Sequence, residues 1–263
     1  LMNMIDKMFL DKKGQKVFIP FITAGDPDIG TTMDLVFAME EAGADLIELG
    51  VPFSDPIAEG PVIQEANARA LKNGVNLDII FDAVGKIRKK SQIPLVFLMY
   101  YNSLFKYGLE RFFKACKEYG IDGVIIPDLP YEESGEIAEY EEKYNVYQIS
   151  LISPTSHDRI EKIAKSAKGF LYCVSSLGVT GARDKFETDF KAFFDEINKY
   201  AKIPKCLGFG IKDETQAKLL REYADGIIVG SAVVALVKEG KDKEEKIRLV
   251  KEYVSKMAKA TKE

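Results

Sequence analysis

The chain has 263 residues, 46% hydrophobic and 30% charged, with a formal net charge of −4, an ordinary balance for a globular protein of one large or two small domains. That charge argues against a nucleic-acid binder, which needs a basic face to neutralise phosphates. One histidine and three scattered cysteines leave no material for a histidine triad or a cysteine–histidine metal cluster.

The N-terminal "LMNMIDKMFLDKKGQK" mixes apolar and charged residues at helical spacing, which predicts an extra N-terminal helix and not a signal-peptide core. A strand follows in "VFIPFITAG" from Val17, then a helix over Thr31 to Ala42. The pair repeats as "ADLIELG" from Ala44 with a helix from Pro61 to Asn73, and as "IPLVFLMYYN" from Ile93 with "LERFFKACKEYG". Next come "IDGVIIPDLP" from Ile121 with "EESGEIAEYEEKY", and "VYQISLISP" from Val146 with "DRIEKIAKSA". His157 falls at the start of that last helix, which suggests a surface or capping role. "GFLYCVSSLG" from Gly169, "IPKCLGFGI" from Ile203 and "DGIIVGSAVV" from Asp225 complete the series, each followed by a helical pattern.

Strands alternating with longer amphipathic stretches imply a parallel sheet with crossover helices. About eight such units in a chain of this length predict one (β/α)₈ TIM barrel spanning residues 1–263. No linker or low-complexity block divides it. No apolar run approaches the ~20 residues of a bilayer span, so the expectation is a soluble cytoplasmic protein with Cys116, Cys173 and Cys206 as reduced core thiols.

Barrel enzymes place chemistry at the C-terminal ends of their strands. There the chain offers Thr23, Asp26, Glu48, Ser54, Asp55 and Glu59, then Tyr100, Tyr101, Asn102, Asp128, Ser153, Ser175 and Thr180. The last two strands end in "GFG" and "VGSA". Glycines at Gly210 and Gly230, with Ser231 and the loop glycine Gly181, let backbone N–H groups approach a phosphate. Glu48 closes an apolar strand, where partial desolvation suits a general acid–base; position alone leaves open a glutamate paired with a nearby lysine. These strand ends carry no lysine, which argues against Schiff-base chemistry and for proton transfer by carboxylates, as in isomerisation or aldol-type cleavage.

"PFITAGDP", "GADLIELGVPFSDPIAEGPVIQ", "LMYYN", "VIIPDLPYEES", "SSLGVTGAR", "GFGI" and "VGSAVV" resemble, in order and over nearly the whole chain, the motifs of the tryptophan synthase α-subunit family. The resemblance implies retro-aldol cleavage of indole-3-glycerol phosphate to indole and glyceraldehyde 3-phosphate. It implies Glu48 as the catalytic acid–base and Glu59 as acceptor of the indole N–H. By the same resemblance Phe21, Leu98, Tyr100, Tyr172 and Phe209 wall an indole pocket, although spacing alone would make them core. Thr180 closes over the site and bonds Glu59, while Gly181, Gly210, Gly230 and Ser231 cradle the phosphate. Asp55, Asn102 and Pro130 would face a β subunit that carries pyridoxal phosphate, in an α2β2 heterotetramer; this chain would need no cofactor or metal.

One residue departs from the pattern. The family's familiar members carry "ADGP" where this chain has "AEGP", and one methylene moves a carboxylate by roughly 1 Å, a displacement that can cost on the order of 10²-fold in rate. The expectation is an active enzyme with Glu59 in the aspartate's role. Two other readings are a weakly catalytic chain that mainly activates its β partner and a stand-alone indole-releasing lyase. A phosphosugar isomerase would need a cysteine at the first strand, and "VFIPFITAGDP" has none.

Overall fold

In the computed structural model, which describes residues 2–174, 189–208 and 210–263 apart from the side chain of His157, nine strands pair in parallel. They are β1 (Val17–Thr23), β2 (Ile47–Gly50), β3 (Leu95–Leu98), β4 (Gly123–Ile125), β5 (Tyr147–Gln148), β6 (Leu151–Ile152), β7 (Leu171–Val174), β8 (Lys205–Gly208) and β9 (Gly226–Val229). Their order is β5-β4-β3-β2-β1-β9-β8-β7-β6. The two ends of that order are consecutive in the chain. Between them the Ile149 N–H donates to the Val124 carbonyl and the Ser150 carbonyl accepts from the Tyr172 N–H, both at 2.9 Å. The expected strand "VYQISLISP" is therefore one interrupted strand that bonds both sheet edges. Eight strand positions close a ring, which removes the unpaired edges an open sheet would carry.

The helices are α1 (Met4–Asp11), α2 (Ile29–Glu41), α3 (Pro61–Lys72), α4 (Leu77–Ile87), α5 (Tyr101–Tyr107), α6 (Leu109–Tyr119), α7 (Gly135–Tyr144), α8 (Ile160–Ser166), α9 (Phe190–Asn198), α10 (Glu214–Leu220), α11 (Ser231–Glu239) and α12 (Lys243–Lys262). His157 lies in a 3₁₀ turn that leads into α8. Side-chain caps start several of them: Asp28 accepts from the Thr31 N–H and Asn76 from the Ile79 N–H, the oxygen acceptors that orphan helix-end donors require.

Two expected strands run too far. "IPLVFLMYYN" leaves the sheet at Leu98, and Tyr101 opens α5, its N–H donating to Asp128 Oδ1 at 2.8 Å. "DGIIVGSAVV" stops at Val229, and Ser231 opens α11. In α11 Val233 and Val234 are buried on the inner face, and so short an apolar run has no period that separates strand from helix.

Period-two alternation sorts the strand residues. Val17, Ile19, Leu46, Val96, Ile125, Ile149, Phe170, Cys206 and Ile228 point into the barrel and pack on Ile5 and Met8 of α1. Phe18, Ile22, Ile47, Leu49, Phe97 and Val124 point outward under the helices. The N-terminal helix thus plugs the bottom of the barrel. Asn3 fixes it there, its amide donating to the carbonyls of Asp122 at 2.9 Å and Asn145 at 3.0 Å. The strand C-termini open at the opposite end. The three cysteines are buried thiols. Among the described residues no helix is long and apolar enough to cross a membrane.

Candidate active site

Strand β2 aligns Glu48 with Phe21 of β1 and Val96 of β3. Leu46 and Glu48 share the inward parity, so the strand that fills the core with Leu46 presents a carboxylate two residues later at the mouth. Glu48 is only 1% exposed and its Oε1 has no hydrogen-bond partner among the described residues. Burial is the whole cause of its carboxyl being pushed up to about 8. A glutamate paired with lysine would be held low instead, so the ion-pair alternative is not what the described residues build. A carboxyl in this setting is protonated at neutral pH and is first of all a proton donor.

Glu59 arrives from the loop between β2 and α3, just ahead of Gly60 and Pro61, which start α3. It is 4% exposed. Its Oε2 accepts from the Tyr100 hydroxyl at 2.9 Å, and that hydroxyl accepts from the Ala58 N–H, also at 2.9 Å. Burial pushes the Glu59 carboxyl up to about 7, against the Tyr100 hydrogen bond, which lowers it, and with Asp128, whose charge raises it. The site therefore holds two desolvated carboxyls, one mostly protonated near pH 7 and the other close to half ionised, the split that marks acid and base roles.

Glu48 and Glu59 line one cavity with Phe21, Leu98 and Tyr172, and Gly210, Gly230 and Ser231 line it too. The sequence reading had not singled out Ala58, Ile63, Pro127, Ile211 and Ile228, which complete the wall. Two other glycines make the aromatic placement possible. A Cβ on Gly50 would stand 2.5 Å from the Phe21 ring, and one on Gly208 would stand 2.6 Å from the Tyr172 hydroxyl. Both aromatic side chains lie where only a bare backbone leaves room. The signal was in the sequence, since both glycines have inward parity at strand ends.

At the glycine-rich side, Gly210 takes a positive φ of 82°. No side chain caps α11, which Ser231 opens after Gly230. A helix start left without a side-chain cap directs its N–H groups and the positive end of its dipole at whatever anion enters.

Tyr100 is not on the described wall; its ring stacks on Phe53 at 4.9 Å and 22°. Thr180, Gly181 and Phe209 lie outside the described residues. Asp55, Asn102 and Pro130 are exposed and follow the neighbouring strands β2, β3 and β4, so the ring order puts them on one sector of the mouth. Ile57 and Phe105, 76% and 65% exposed, belong to the same loops and helix.

Comparison with known proteins agrees with this geometry. The family profile of the tryptophan synthase alpha chain matches residues 8–262. The chain is 54% identical over 256 residues to the tryptophan synthase alpha chain of Thermoanaerobacter sp. (strain X514), covering 97% of this chain and 98% of that one. It is 50% identical over 224 residues to that of Geobacillus kaustophilus (strain HTA426), covering 85% and 84%. Among solved structures, the alpha chain from Legionella pneumophila subsp. pneumophila has a TM-score of 0.89 at 34% identity, with 99% and 98% covered. The structure of Mycobacterium tuberculosis tryptophan synthase gives 0.91 at 28% identity, with both chains fully covered at 100%. With its ring of parallel strands, two buried carboxyls in one pocket and these matches along its whole length, the chain belongs to the tryptophan synthase alpha chain family.

Proposed function

We propose that this chain cleaves indole-3-glycerol phosphate to indole and glyceraldehyde 3-phosphate, with Glu48 as the proton-transfer residue and Glu59 as the acceptor for the indole N–H. The observation that carries the reading is the pair itself: a buried Glu48 with an unpartnered oxygen lines the same cavity as Glu59 and the residues at an uncapped helix start. The indole ring lies between Phe21, Leu98 and Tyr172, and the phosphate sits at Gly210, Gly230 and Ser231.

Protonated Glu48 gives its proton to the indole C3, which interrupts the ring's conjugation and makes the N1–H strongly polar. Glu59 accepts a hydrogen bond from that N–H and stabilises the positive charge that develops. Glu48, now a carboxylate, takes the proton of the glycerol hydroxyl next to the ring. The electron pair of the O–H bond becomes the aldehyde π bond, the carbon–carbon bond breaks, and its electrons restore the indole. Glu48 ends protonated as it began, so the cycle closes without an external acid. Every step is a proton transfer or a bond cleavage within the substrate, and none calls on a cofactor.

The α-chain identity implies a β-type partner. The sector with Asp55, Asn102 and Pro130 also exposes the apolar Ile57 and Phe105, the mixture of apolar and polar side chains that interfaces use. We place the β subunit there, in an α2β2 assembly with pyridoxal phosphate held by β, in the cytoplasm. The test is indole release from indole-3-glycerol phosphate, measured with and without a β subunit, for the parent, Glu48→Gln and Glu59→Gln chains. Both substitutions are expected to lower the rate, by at least 10²-fold for Glu48→Gln. No indole from the parent in either assay would sink the lyase reading and favour a chain that only activates its partner.

A further inference from the structure

The Tyr100 side chain is held more firmly than a pocket wall requires. It is 2% exposed, stacked on Phe53, and followed by Tyr101, whose N–H is tied to Asp128 Oδ1 at 2.8 Å. A phenolic hydroxyl has one proton and acts as donor and acceptor. Here the Ala58 N–H occupies it as an acceptor, and the remaining proton goes to Glu59 Oε2. Since the ring itself is not on the described wall of the cavity, Tyr100 touches the chemistry through Glu59.

We propose that Tyr100 is a positioning residue for Glu59: by engaging Oε2 it fixes the longer glutamate arm and leaves Oε1 to meet the indole N–H. This inference rests on the two-carboxylate reading above. Glutamate has one more side-chain torsion than aspartate, and a carboxylate that must meet a fixed N–H gains nothing from that freedom. The bond from Tyr100 removes it. The groups facing Glu59 are Tyr100 from the end of β3, Asp128 from the loop after β4, and Glu48 and Tyr172 across the cavity from β2 and β7. Burial first and Asp128 second oppose the ionised carboxylate while Tyr100 favours it, so removing the hydroxyl leaves burial and Asp128 unopposed.

The experiment uses the full chain with saturating β subunit and indole-3-glycerol phosphate as substrate. Tyr100→Phe keeps the stacked ring but takes a partner from the Ala58 N–H and from Glu59, so a lowered unfolding midpoint is expected. Thermal unfolding measured alongside sets the assay temperature at which both chains are fully folded. The expected result is a kcat/KM lower by about 10-fold, the worth of a hydrogen bond to a charged group, with the acid limb of the pH profile moved to higher pH. In a Glu59→Gln background the same substitution should cost less than about twofold, because residues that act through one another are not additive. An unmoved acid limb, or an equal loss in both backgrounds, overturns the inference while the two-carboxylate reading stands. A Glu59→Gln chain as active as the parent overturns both.

Discussion

Replacing Glu48 by glutamine should abolish activity and at the same time stabilise the protein in a pH-dependent way. The buried carboxyl sits at about 8 in the folded chain against an ordinary value of 4.5. The folded state therefore binds the proton more tightly than the unfolded one, and the stability this gives is complete below pH 4.5 and lost as pH rises towards 8. The loss is about 1.4 kcal/mol per pH unit, so roughly 3 kcal/mol has gone between pH 5 and pH 7. Glutamine does not titrate. Any fixed cost of burying its amide is the same at each pH and cancels when the difference between the two proteins is compared across pH. Urea unfolding of parent and Glu48→Gln chains at pH 5, 7 and 8 should show the variant gaining on the parent by about 3 kcal/mol from pH 5 to pH 7, with a further gain by pH 8. A stability difference that stays constant over this range would refute the reasoning, because it would mean that Glu48 titrates in the folded chain as it does in water.

In the roles proposed above, the same two groups set the activity profile. Glu59 must be ionised and Glu48 protonated, so kcat/KM should rise through about 7 and fall through about 8, a narrow bell read by initial rates across pH. Gly208→Ala places a methyl against the Tyr172 hydroxyl; the ring is buried and must shift, so a loss of about 1–3 kcal/mol by denaturant unfolding and a raised KM are expected. Ile5→Ala in the N-terminal plug should cost about 2–4 kcal/mol by the same measurement while leaving kcat nearly unchanged, since Ile5 is fully buried at the end of the barrel away from the site. Arg69→Met breaks a two-bond pair to the buried Asp26, at 2.7 and 2.9 Å; with the arginine side chain about one-third exposed, the loss should be nearer about 2 kcal/mol than the full cost of a buried pair.

The barrel was legible in the sequence because strand-like runs alternate with helical ones, and one arm of the candidate site because side chains alternate along a strand. Once "ADLIELG" is a strand with Leu46 inward, Glu48 must be inward too. Boundaries were less legible where an apolar run continues across a change of structure. The strand stops at Leu98 and a helix opens at Tyr101, whose N–H finds its acceptor in Asp128 from the next loop, and nothing local announces that. Helix α4 was readable and missed: Asn76 caps it, and Leu77, Ile80, Phe81 and Val84 follow at helical spacing. The Tyr100–Glu59 bond joins residues 41 positions apart, and motif likeness suggested for Tyr100 only a place on the wall. Contacts of that kind depend on how loops fold back over the mouth, which no periodicity encodes.

The two carboxylates are placed by different kinds of backbone, and the difference suits the tasks proposed for them. In the proposed reaction Glu48 must reach a ring carbon and a hydroxyl in turn without losing its proton to water. A strand paired on both sides, with Phe21 and Val96 in register, supplies the rigidity, and complete burial supplies the dry surroundings. Glu59 has only to accept one N–H, so a loop can carry it, provided something holds the loop's side chain still. The chain's extra methylene makes that condition stricter, because a longer arm sweeps a larger volume. The Ala58 N–H and the Tyr100 hydroxyl answer it together: one backbone donor orients the phenol, and the phenol holds the carboxylate. A glutamate in this loop therefore need not blunt the chemistry, since the contact that limits its freedom spans the gap between loop and barrel wall.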